Sequence, residues 1–138
     1  MARLIPARII EPGDAAGAIL AAAEPLSFWG GYDQRTGEII DRRHPLSGRN
    51  AAGRVLVLPG SRGSSTTSAV LLESVSLGTA PAAIVTTGVD RFVALAAVVA
   101  RELYGHTFAV LAVDPSSLSQ FGDGRIARIE AAGILIED

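Results

Sequence analysis

A strand, a glycine-rich turn and a helix follow one another within residues 54–78, and this segment constrains the fold more than any other part of the chain. Val55–Leu58 is a short apolar run with two β-branched residues, and it stops at Pro59-Gly60, as a buried strand does. Residues 69–77 suit a helix, and Gly78 follows where a C-terminal glycine cap is expected. The segment therefore predicts a strand and a helix joined by a tight turn.

The polar groups of this segment lie in the turn between the strand and the helix. Gly60 and Gly63 permit backbone conformations that a side chain disfavours, so the chain can reverse sharply there. A glycine turn and a helix N-terminus point free N–H groups at one place, which favours an anion. Arg62 adds a guanidinium that can bind a carboxylate or phosphate at two points. Four hydroxyl residues are candidates for the N-cap of the helix: Ser64, Ser65, Thr66 and Thr67.

The turn has two interpretations. In the first, it binds an anionic substrate and Ser64 carries out chemistry on it. In the second, it is an ordinary connection between a strand and a helix, and its hydroxyl groups only cap the helix. Helix caps are far commoner than active sites, so the local pattern by itself leaves both interpretations open.

Composition and charge exclude several classes of protein. The chain has 138 residues, of which 49% are hydrophobic and 19% are charged, so we expect one folded domain over residues 1–138 rather than a disordered chain. The net charge of −2 and the dispersed arginines argue against nucleic acid as the main partner. No apolar run approaches the roughly 18 residues that a membrane helix needs, and the N-terminus does not resemble a signal peptide. We therefore expect a cytoplasmic protein without a membrane partner.

The chain contains neither cysteine nor lysine. Without cysteine it cannot form a disulfide, use a thiolate nucleophile or supply thiolates to an iron–sulfur cluster. Without lysine it cannot form a Schiff base or complete a Walker A loop. Because all twelve cationic side chains are arginines, any bound anion has to be held by arginine or by backbone amides.

A polar loop at residues 42–50 carries three arginines, Arg42, Arg43 and Arg49, together with His44. Side chains of these types commonly bind ligands, and the arginines could hold a phosphate. The alternative is a solvated connection without a task. Asp41 and His44 form an Asp-x-x-His pair, but two residues without further ligands are weak grounds for a metal site.

The aromatic residues concentrate in residues 26–32, beside a glycine pair, where they form either a core plug or the lip of a pocket. Elsewhere, Asp90 is a candidate N-cap for a helix that reaches about Tyr104 and is capped by Gly105. Its predicted buried face comprises Phe92, Leu95, Ala96, Val99 and Leu103. Further strands are predicted at residues 7–11, 38–41, 79–86, 108–113, 125–130 and 134–136. Residues 18–23 could form a helix, which alanine favours, or a strand, and the strand is preferred because the run is short and Glu24-Pro25 ends it.

The order of these elements predicts an α/β fold. Strands and helices alternate across residues 54–113, which implies a partly parallel central sheet, covered by helices and connected by right-handed crossovers. The strands near the two termini would then form a second β layer against this α/β centre. No repeat and no linker divides the chain.

Two generic catalytic motifs are absent. The turn matches neither the Gly-x-Ser-x-Gly elbow of α/β-hydrolases nor the Gly-x-Gly-x-x-Gly of dinucleotide-binding proteins. The two histidines, His44 and His106, are distant from the serine cluster in sequence. A Ser–His–Asp set therefore depends on how the chain folds.

Four motifs in one order carry a resemblance to a known family. They are Phe-Trp-Gly-Gly-Tyr-Asp at residues 28–33, Gly-Glu-Ile-Ile-Asp-Arg-Arg-His-Pro-Leu-Ser-Gly at 37–48, Gly-Ser-Ser at 63–65 and Gly-Thr-Ala-Pro-Ala-Ala-Ile at 78–84. Together they resemble the small subunit of aconitase X-type dehydratases over about residues 8–113. The resemblance implies an aconitase-like swivelling β/β/α domain.

The resemblance also implies a division of labour between two polypeptides. A cysteine-bearing large subunit would hold an iron or iron–sulfur centre, and this chain would bind no metal or cofactor itself. Ser64 matches the serine that takes a proton from the carbon next to a carboxylate, and Ser65 is the second choice. The implied substrate-binding residues are Arg62, Gly63, Ser65, Thr66, Arg43 and His44.

Two substrates are known in this family. Bacterial members look like cis-3-hydroxy-L-proline dehydratases, which form Δ1-pyrroline-2-carboxylate, and archaeal members resemble phosphomevalonate dehydratases of an isoprenoid pathway. The loop at residues 62–68 is more similar to the bacterial form, so we expect hydroxyproline dehydration. Two alternatives come from another class: a non-catalytic lid that docks on a partner enzyme, and a stand-alone anion-binding domain.

Overall fold

The computed structural model describes residues 2–137 of the chain. The helical segments are α1 (Phe28–Gly31), α2 (Ser65–Leu77), α3 (Arg91–Tyr104) and a 3-10 helix at Pro115–Gln120. The strands are β1 (Ala2–Pro6), β2 (Arg8–Glu11), β3 (Ala16–Ala21), β4 (Leu26–Ser27), β5 (Val55–Leu58), β6 (Ser61–Arg62), β7 (Ala83–Thr87), β8 (Ala109–Val113), β9 (Ile126–Glu130) and β10 (Gly133–Glu137).

Eight strands form one sheet in the order β1-β10-β9-β3-β5-β7-β8-β2, and β4 pairs separately with β6. The four strands β3, β5, β7 and β8 are parallel to one another. Since the chain steps through them in one direction, right-handed crossovers place α2 and α3 on the same face of the sheet. The predicted partly parallel sheet, with helices covering it, is confirmed.

The opposite face of the central sheet is covered by the terminal strands. β1, β10 and β9 are antiparallel and continue from β3, so this second β layer is hydrogen-bonded to the central sheet. β1 and β2 lie at the two ends of the strand order but are separated in the chain by Ala7 alone, so the sheet has to curl until its edges approach. The result is a three-layer β/β/α architecture.

The central strand β5 is buried on both faces, which explains its continuous apolar sequence. Leu56 and Leu58 belong to the core beneath the helices. Val55 and Val57 point the other way, into the core shared with the second β layer, where Ile134 also lies. Alternation along one strand thus places the same short segment in two hydrophobic cores.

Several strand predictions differ from the structure. β1 was not predicted, because Ile5 is its one buried side chain and the alternating pattern is therefore weak. The segment at residues 38–41 is not a strand: only isolated bridges form there, between Tyr32 and Ile39 and between Glu38 and Asn50. The strand expected from residue 79 begins at Ala83. Residues 18–21 lie in the strand β3, so the strand interpretation of residues 18–23 is confirmed, with different ends.

The two long helices have the predicted ends, but the buried face of α3 was predicted only in part: Ala96 is buried, and Phe92 and Val99 are half-buried. Gly78 and Gly105 both adopt a φ of 76° as C-caps. Leu95 and Leu103, expected in the core, are 51% and 63% exposed. The side chains that α3 buries are Val93, Ala96, Ala97 and Ala100, whose small size allows the helix to approach its neighbours closely.

None of the helices within residues 2–137 has both the length and the apolar character that crossing a membrane requires.

Candidate functional site

The turn after β5 leads into α2 through one strained glycine. Gly63 has a φ of 116°, a conformation that disfavours any side chain. Gly60, for which the same freedom was predicted, does not have a positive φ, so that expectation was wrong. Ser64 occupies the N-cap position of α2, but its side chain makes no capping hydrogen bond to the first turn. The hydroxyl of Ser64 is therefore not committed to the role that most N-cap serines perform.

Neighbouring elements hold the first part of this turn. The Leu26 amide donates to the Gly60 carbonyl at 3.2 Å, and Ser27 pairs with Arg62 in the short β4–β6 ladder. From the other side, the Thr87 hydroxyl donates to the Pro59 carbonyl at 3.0 Å. Because parallel strands end at the same edge of a sheet, the end of β7 is close enough to brace the end of β5.

Arg62, Arg43 and His44, three of the predicted substrate-binding residues, line the same cleft of about 450 Å³. Arg62 is 18 or more residues from Arg43 and His44 in sequence, so the fold brings it beside them. The remaining lining residues are Glu24, Pro25, Asp41 and Arg42. Three guanidinium groups and two carboxylates make the cleft rich in charge, and its positive excess suits an anionic group with several oxygens.

His44 braces the wall of this cleft. Its Nδ1 accepts a hydrogen bond from the Leu46 amide at 3.1 Å, so Nδ1 carries no proton. The proton of the neutral ring is then on Nε2, which donates to the Glu24 carbonyl at 3.0 Å. Since both ring nitrogens are occupied by backbone groups, the geometry fits a structural histidine better than a proton acceptor.

No Ser–His pair is set up for catalysis by the residues that the structure describes. The nitrogens of His44 are already engaged, and His106 follows the C-terminal end of α3, whereas the N-terminal end of α3 adjoins the Ser64 turn through Asp90. The Asp41 carboxylate, suggested with His44 as a weak metal pair, accepts from the Arg43 amide at 3.0 Å. A serine base in this turn would therefore depend on electrostatic stabilisation rather than on a histidine.

The hydroxyl residues of the turn are at the surface. Ser64, Ser65 and Thr66 are exposed and do not line the arginine cleft. Gly63 borders a separate crevice of about 260 Å³, which also contains Ser61 and is therefore next to the turn. The chain thus presents two neighbouring features, an arginine cleft and a helix N-terminus with free hydroxyls, which meet at Arg62 and Gly63.

Thr67 differs from the other hydroxyl residues of the turn. It is fully buried, and its Oγ1 has no hydrogen-bond partner. It is therefore not the N-cap, which leaves Ser64 in that position.

The aromatic segment serves as both of the predicted alternatives. Phe28 and Tyr32 are buried and their rings lie 5.5 Å apart, so they form the core plug. Trp29 lies between them in sequence but is 66% exposed and lines a cavity of about 440 Å³, so it forms the lip of a pocket.

Arg49, which was grouped with the other loop arginines, instead pairs with Asp123 at 3.3 Å and does not line the arginine cleft.

Sequence reasoning missed what connects the turn to α3. Asp90 was predicted as an N-cap, which is confirmed by its bonds to the amides of Phe92 and Val93. The same carboxylate also binds Ser61, a residue that the sequence did not single out. No local signal could reveal this contact, because it joins residues 29 positions apart.

Within residues 2–137, no group of three or more histidine, aspartate or glutamate side chains is placed to hold a metal ion.

Comparison with known proteins places the whole chain beside one family. A family model described as the aconitase X swivel domain matches residues 4–137. A solved relative is the crystal structure of Thermococcus kodakaraensis aconitase X, with a TM-score of 0.84, 30% identity and 98% of each chain covered. A solution NMR structure of a UPF0107 protein gives a TM-score of 0.80 at 30% identity, covering 99% of this chain and 98% of the other.

Two curated relatives differ in name and in length. A cis-3-hydroxy-L-proline dehydratase of Pseudomonas aeruginosa is 51% identical over 109 residues, which is 79% of this chain and 19% of that protein. A phosphomevalonate dehydratase small subunit of Methanothermobacter thermautotrophicus is 42% identical over 96 residues, 70% of this chain and 73% of the relative. The chain thus spans about a fifth of the first relative's length and most of the second's.

Proposed function

This chain belongs to the aconitase X swivel-domain family, and on that premise we propose that it is the small subunit of a dehydratase in which Ser64 acts as the base. The observation that carries the proposal is the position of Ser64. It begins the 13-residue helix α2 with its hydroxyl free of any cap bond, two residues after an arginine that lines a cationic cleft. In the proposed reaction Ser64 removes a proton from the carbon next to the substrate carboxylate.

A serine hydroxyl is a weak base unless its alkoxide is stabilised. The N-terminus of α2 contributes the positive end of a helix dipole at Ser64, and Arg62 contributes a full positive charge nearby. The serine oxygen has to come within about 3 Å of the proton that it abstracts. We propose that the substrate carboxylate is held by Arg62 and Arg43, so that its α-carbon faces the end of α2.

The exposure of Ser64 supports a need for a partner. An alkoxide in open water gains little from neighbouring dipoles, whereas a closed site strengthens every such interaction. Departure of hydroxide also needs a Lewis acid, which we expect from an iron or iron–sulfur centre on a cysteine-bearing large subunit. The task of this chain would then be to hold the carboxylate, carry the base and close the site.

For the substrate we propose cis-3-hydroxy-L-proline, which would give Δ1-pyrroline-2-carboxylate. Support comes from the 51% identity to the Pseudomonas dehydratase, against 42% to the phosphomevalonate relative from Methanothermobacter. The arginine cleft favours the second candidate, phosphomevalonate, because Arg42, Arg43 and Arg62 together could neutralise a phosphate. A single carboxylate would need only one or two of them.

The proposal is tested by combining the chain with its large subunit and measuring dehydration of both substrates. We expect activity on hydroxyproline, and a fall in kcat of about 100-fold or more for Ser64→Ala, the range in which general bases contribute. Ser76→Ala is the matched control, because Ser76 is an exposed serine of the same helix that lies outside the turn, and Ser65→Ala tests the second choice for the base. Full activity of the Ser64→Ala complex would remove Ser64 from the mechanism.

The same measurements separate the other candidate roles. A non-catalytic lid predicts that Ser64→Ala and Arg62→Ala raise KM while kcat stays near normal. A stand-alone anion-binding domain predicts that the isolated chain binds a carboxylate or phosphate at millimolar concentration or below.

A further inference from the structure

The Asp90 carboxylate bonds to two separate parts of the chain. Its Oδ1 accepts hydrogen bonds from the backbone amides of Phe92 and Val93 at 3.1 and 3.2 Å, in the first turn of α3. Its Oδ2 accepts from both the amide and the hydroxyl of Ser61, at 2.7 and 2.6 Å. The Asp90 carboxylate therefore accepts four hydrogen bonds, two from the first turn of α3 and two from Ser61.

Capping α3 requires only one of these two oxygens. A serine or asparagine, with a single acceptor oxygen, is as common at an N-cap as aspartate. The second oxygen of Asp90 is used entirely by Ser61, and hydrogen bonds to a carboxylate are about twice as strong as those between neutral groups. Capping α3 therefore accounts for only two of the four hydrogen bonds that the Asp90 carboxylate accepts.

Ser61 immediately precedes the turn that carries Arg62 and Ser64 into α2. Arg62, Gly63 and Ser64 follow it directly in the chain. On the far side of the turn, the Ser68 hydroxyl donates to the Phe92 carbonyl at 2.7 Å, so α2 is also joined to the start of α3. The segment between Ser61 and Ser68 is thus attached at both ends to the same turn of α3.

The free hydroxyl of Ser64 makes this attachment important. Because the Ser64 side chain forms no cap bond of its own, its position depends on the backbone on either side. We propose that Asp90 is a positioning residue: through Ser61 it sets the direction of Arg62 and the place of Ser64, an inference that rests on the proposed function. A displacement of about 1 Å in a catalytic group can reduce the rate by about 100-fold.

Asp90→Asn tests this inference while retaining a good helix cap. Asparagine has one acceptor oxygen, so it can cap α3 but cannot also accept from Ser61. We expect kcat of the complex to fall about 10- to 100-fold while KM rises by a smaller factor, because Arg43, which lies outside this turn, still binds the carboxylate. Asp90→Ser also keeps a helix cap while losing an acceptor for Ser61, and it is the second variant if Asp90→Asn does not fold.

Asp114→Asn is the matched control. Asp114 also caps a helical segment, but within residues 2–137 its carboxylate bonds only to the amide and hydroxyl of nearby Ser116. We expect this variant to keep kcat within about twofold of the wild type, the effect of a surface change. A comparable loss in both variants would indicate a general effect of removing a cap and would overturn the inference.

Amide hydrogen exchange of the full chain provides a readout independent of activity. In Asp90→Asn we expect the Ser61 amide to exchange at least about 10-fold faster while the amides of Phe92 and Val93 stay protected. Unchanged exchange at Ser61, or a wild-type kcat in the variant complex, would overturn the role of Asp90. If the wild-type complex dehydrates neither substrate, the proposed function fails, and exchange at Ser61 then decides whether Asp90 holds the turn.

Discussion

At the scale of single residues, burial decides the chemistry of Tyr32. The ring is 1% exposed, and its hydroxyl donates to the Thr79 carbonyl at 2.8 Å. Burial disfavours the charged phenolate and raises the pKa of the Tyr32 hydroxyl above its usual value. The folded state therefore resists deprotonation more than the unfolded chain does, and this difference links stability to pH.

We predict that the chain loses stability in alkali through Tyr32. A raised pKa in the folded state contributes stability below the unfolded value of about 10, and this contribution declines as the pH rises above it. The sequence contains two tyrosines and neither lysine nor cysteine, so few other groups titrate in this range. Tyr32→Phe should cost about 1 kcal/mol at pH 7, by loss of the hydrogen bond, and should flatten the alkaline decline.

Urea unfolding at pH 7, 9 and about 11 measures both effects. Tyr104→Phe is the control, because Tyr104 is exposed and its loss should leave the alkaline decline in place. A Tyr32→Phe variant whose stability falls with pH in parallel with the wild type would contradict the prediction.

At the scale of elements, α3 shows why a helix is easier to predict than the face that it buries. Asp90 and Gly105 act on backbone groups within a few residues, so both ends could be found from the sequence. The large apolar residues pointed to a face that includes Leu95, but the fold buries a face of alanines such as Ala97. Close packing of α3 against α2 and the sheet outweighed the burial of its larger apolar side chains.

We predict that this alanine face does not tolerate larger side chains. Ala97→Leu should destabilise the chain by about 1–3 kcal/mol, because the buried position has no room for three more carbon atoms. Val98→Leu, on the exposed side of the same helix, should change stability by less than about 0.5 kcal/mol. Chemical denaturation of both variants provides the measurement, and equal stabilities would show that the face is loosely packed.

At the scale of the whole molecule, the exposed Trp29 marks a side on which a partner would dock. It lies in α1, which begins directly after Ser27, and Ser27 pairs with Arg62 in the turn that leads into α2. With Ile40 and Arg35 it borders a cavity of about 440 Å³. Since tryptophan and arginine contribute strongly at protein interfaces, we expect the proposed large subunit to cover this surface and thereby exclude water from Ser64.

We predict that Trp29→Ala weakens association with the large subunit by about 10-fold or more, the effect of losing an interface anchor. Leu103→Ala is the matched control, since Leu103 is 63% exposed at the C-terminal end of α3. The length of α3 puts that end about 20 Å from Asp90. Titration calorimetry measures both affinities, and equal weakening by the two variants would place the interface elsewhere.

The sequence by itself determined the central strand and the ends of the two long helices. Val55–Leu58 could be recognised as a strand, and the caps at Asp90, Gly78 and Gly105 were found correctly, because each depends on groups only a few residues apart. The turn before Ser64 could likewise be singled out from its glycines and hydroxyls. Order and spacing of the motifs were also enough to identify the family.

Only the tertiary structure decided which side chains meet. It placed Arg43 beside Arg62 in one cleft and occupied both nitrogens of His44 with backbone groups. It also brought Asp90 to Ser61, across 29 positions of sequence. Such contacts depend on how strands and helices pack against one another. The residue pattern within one element does not show which other element will pack against it.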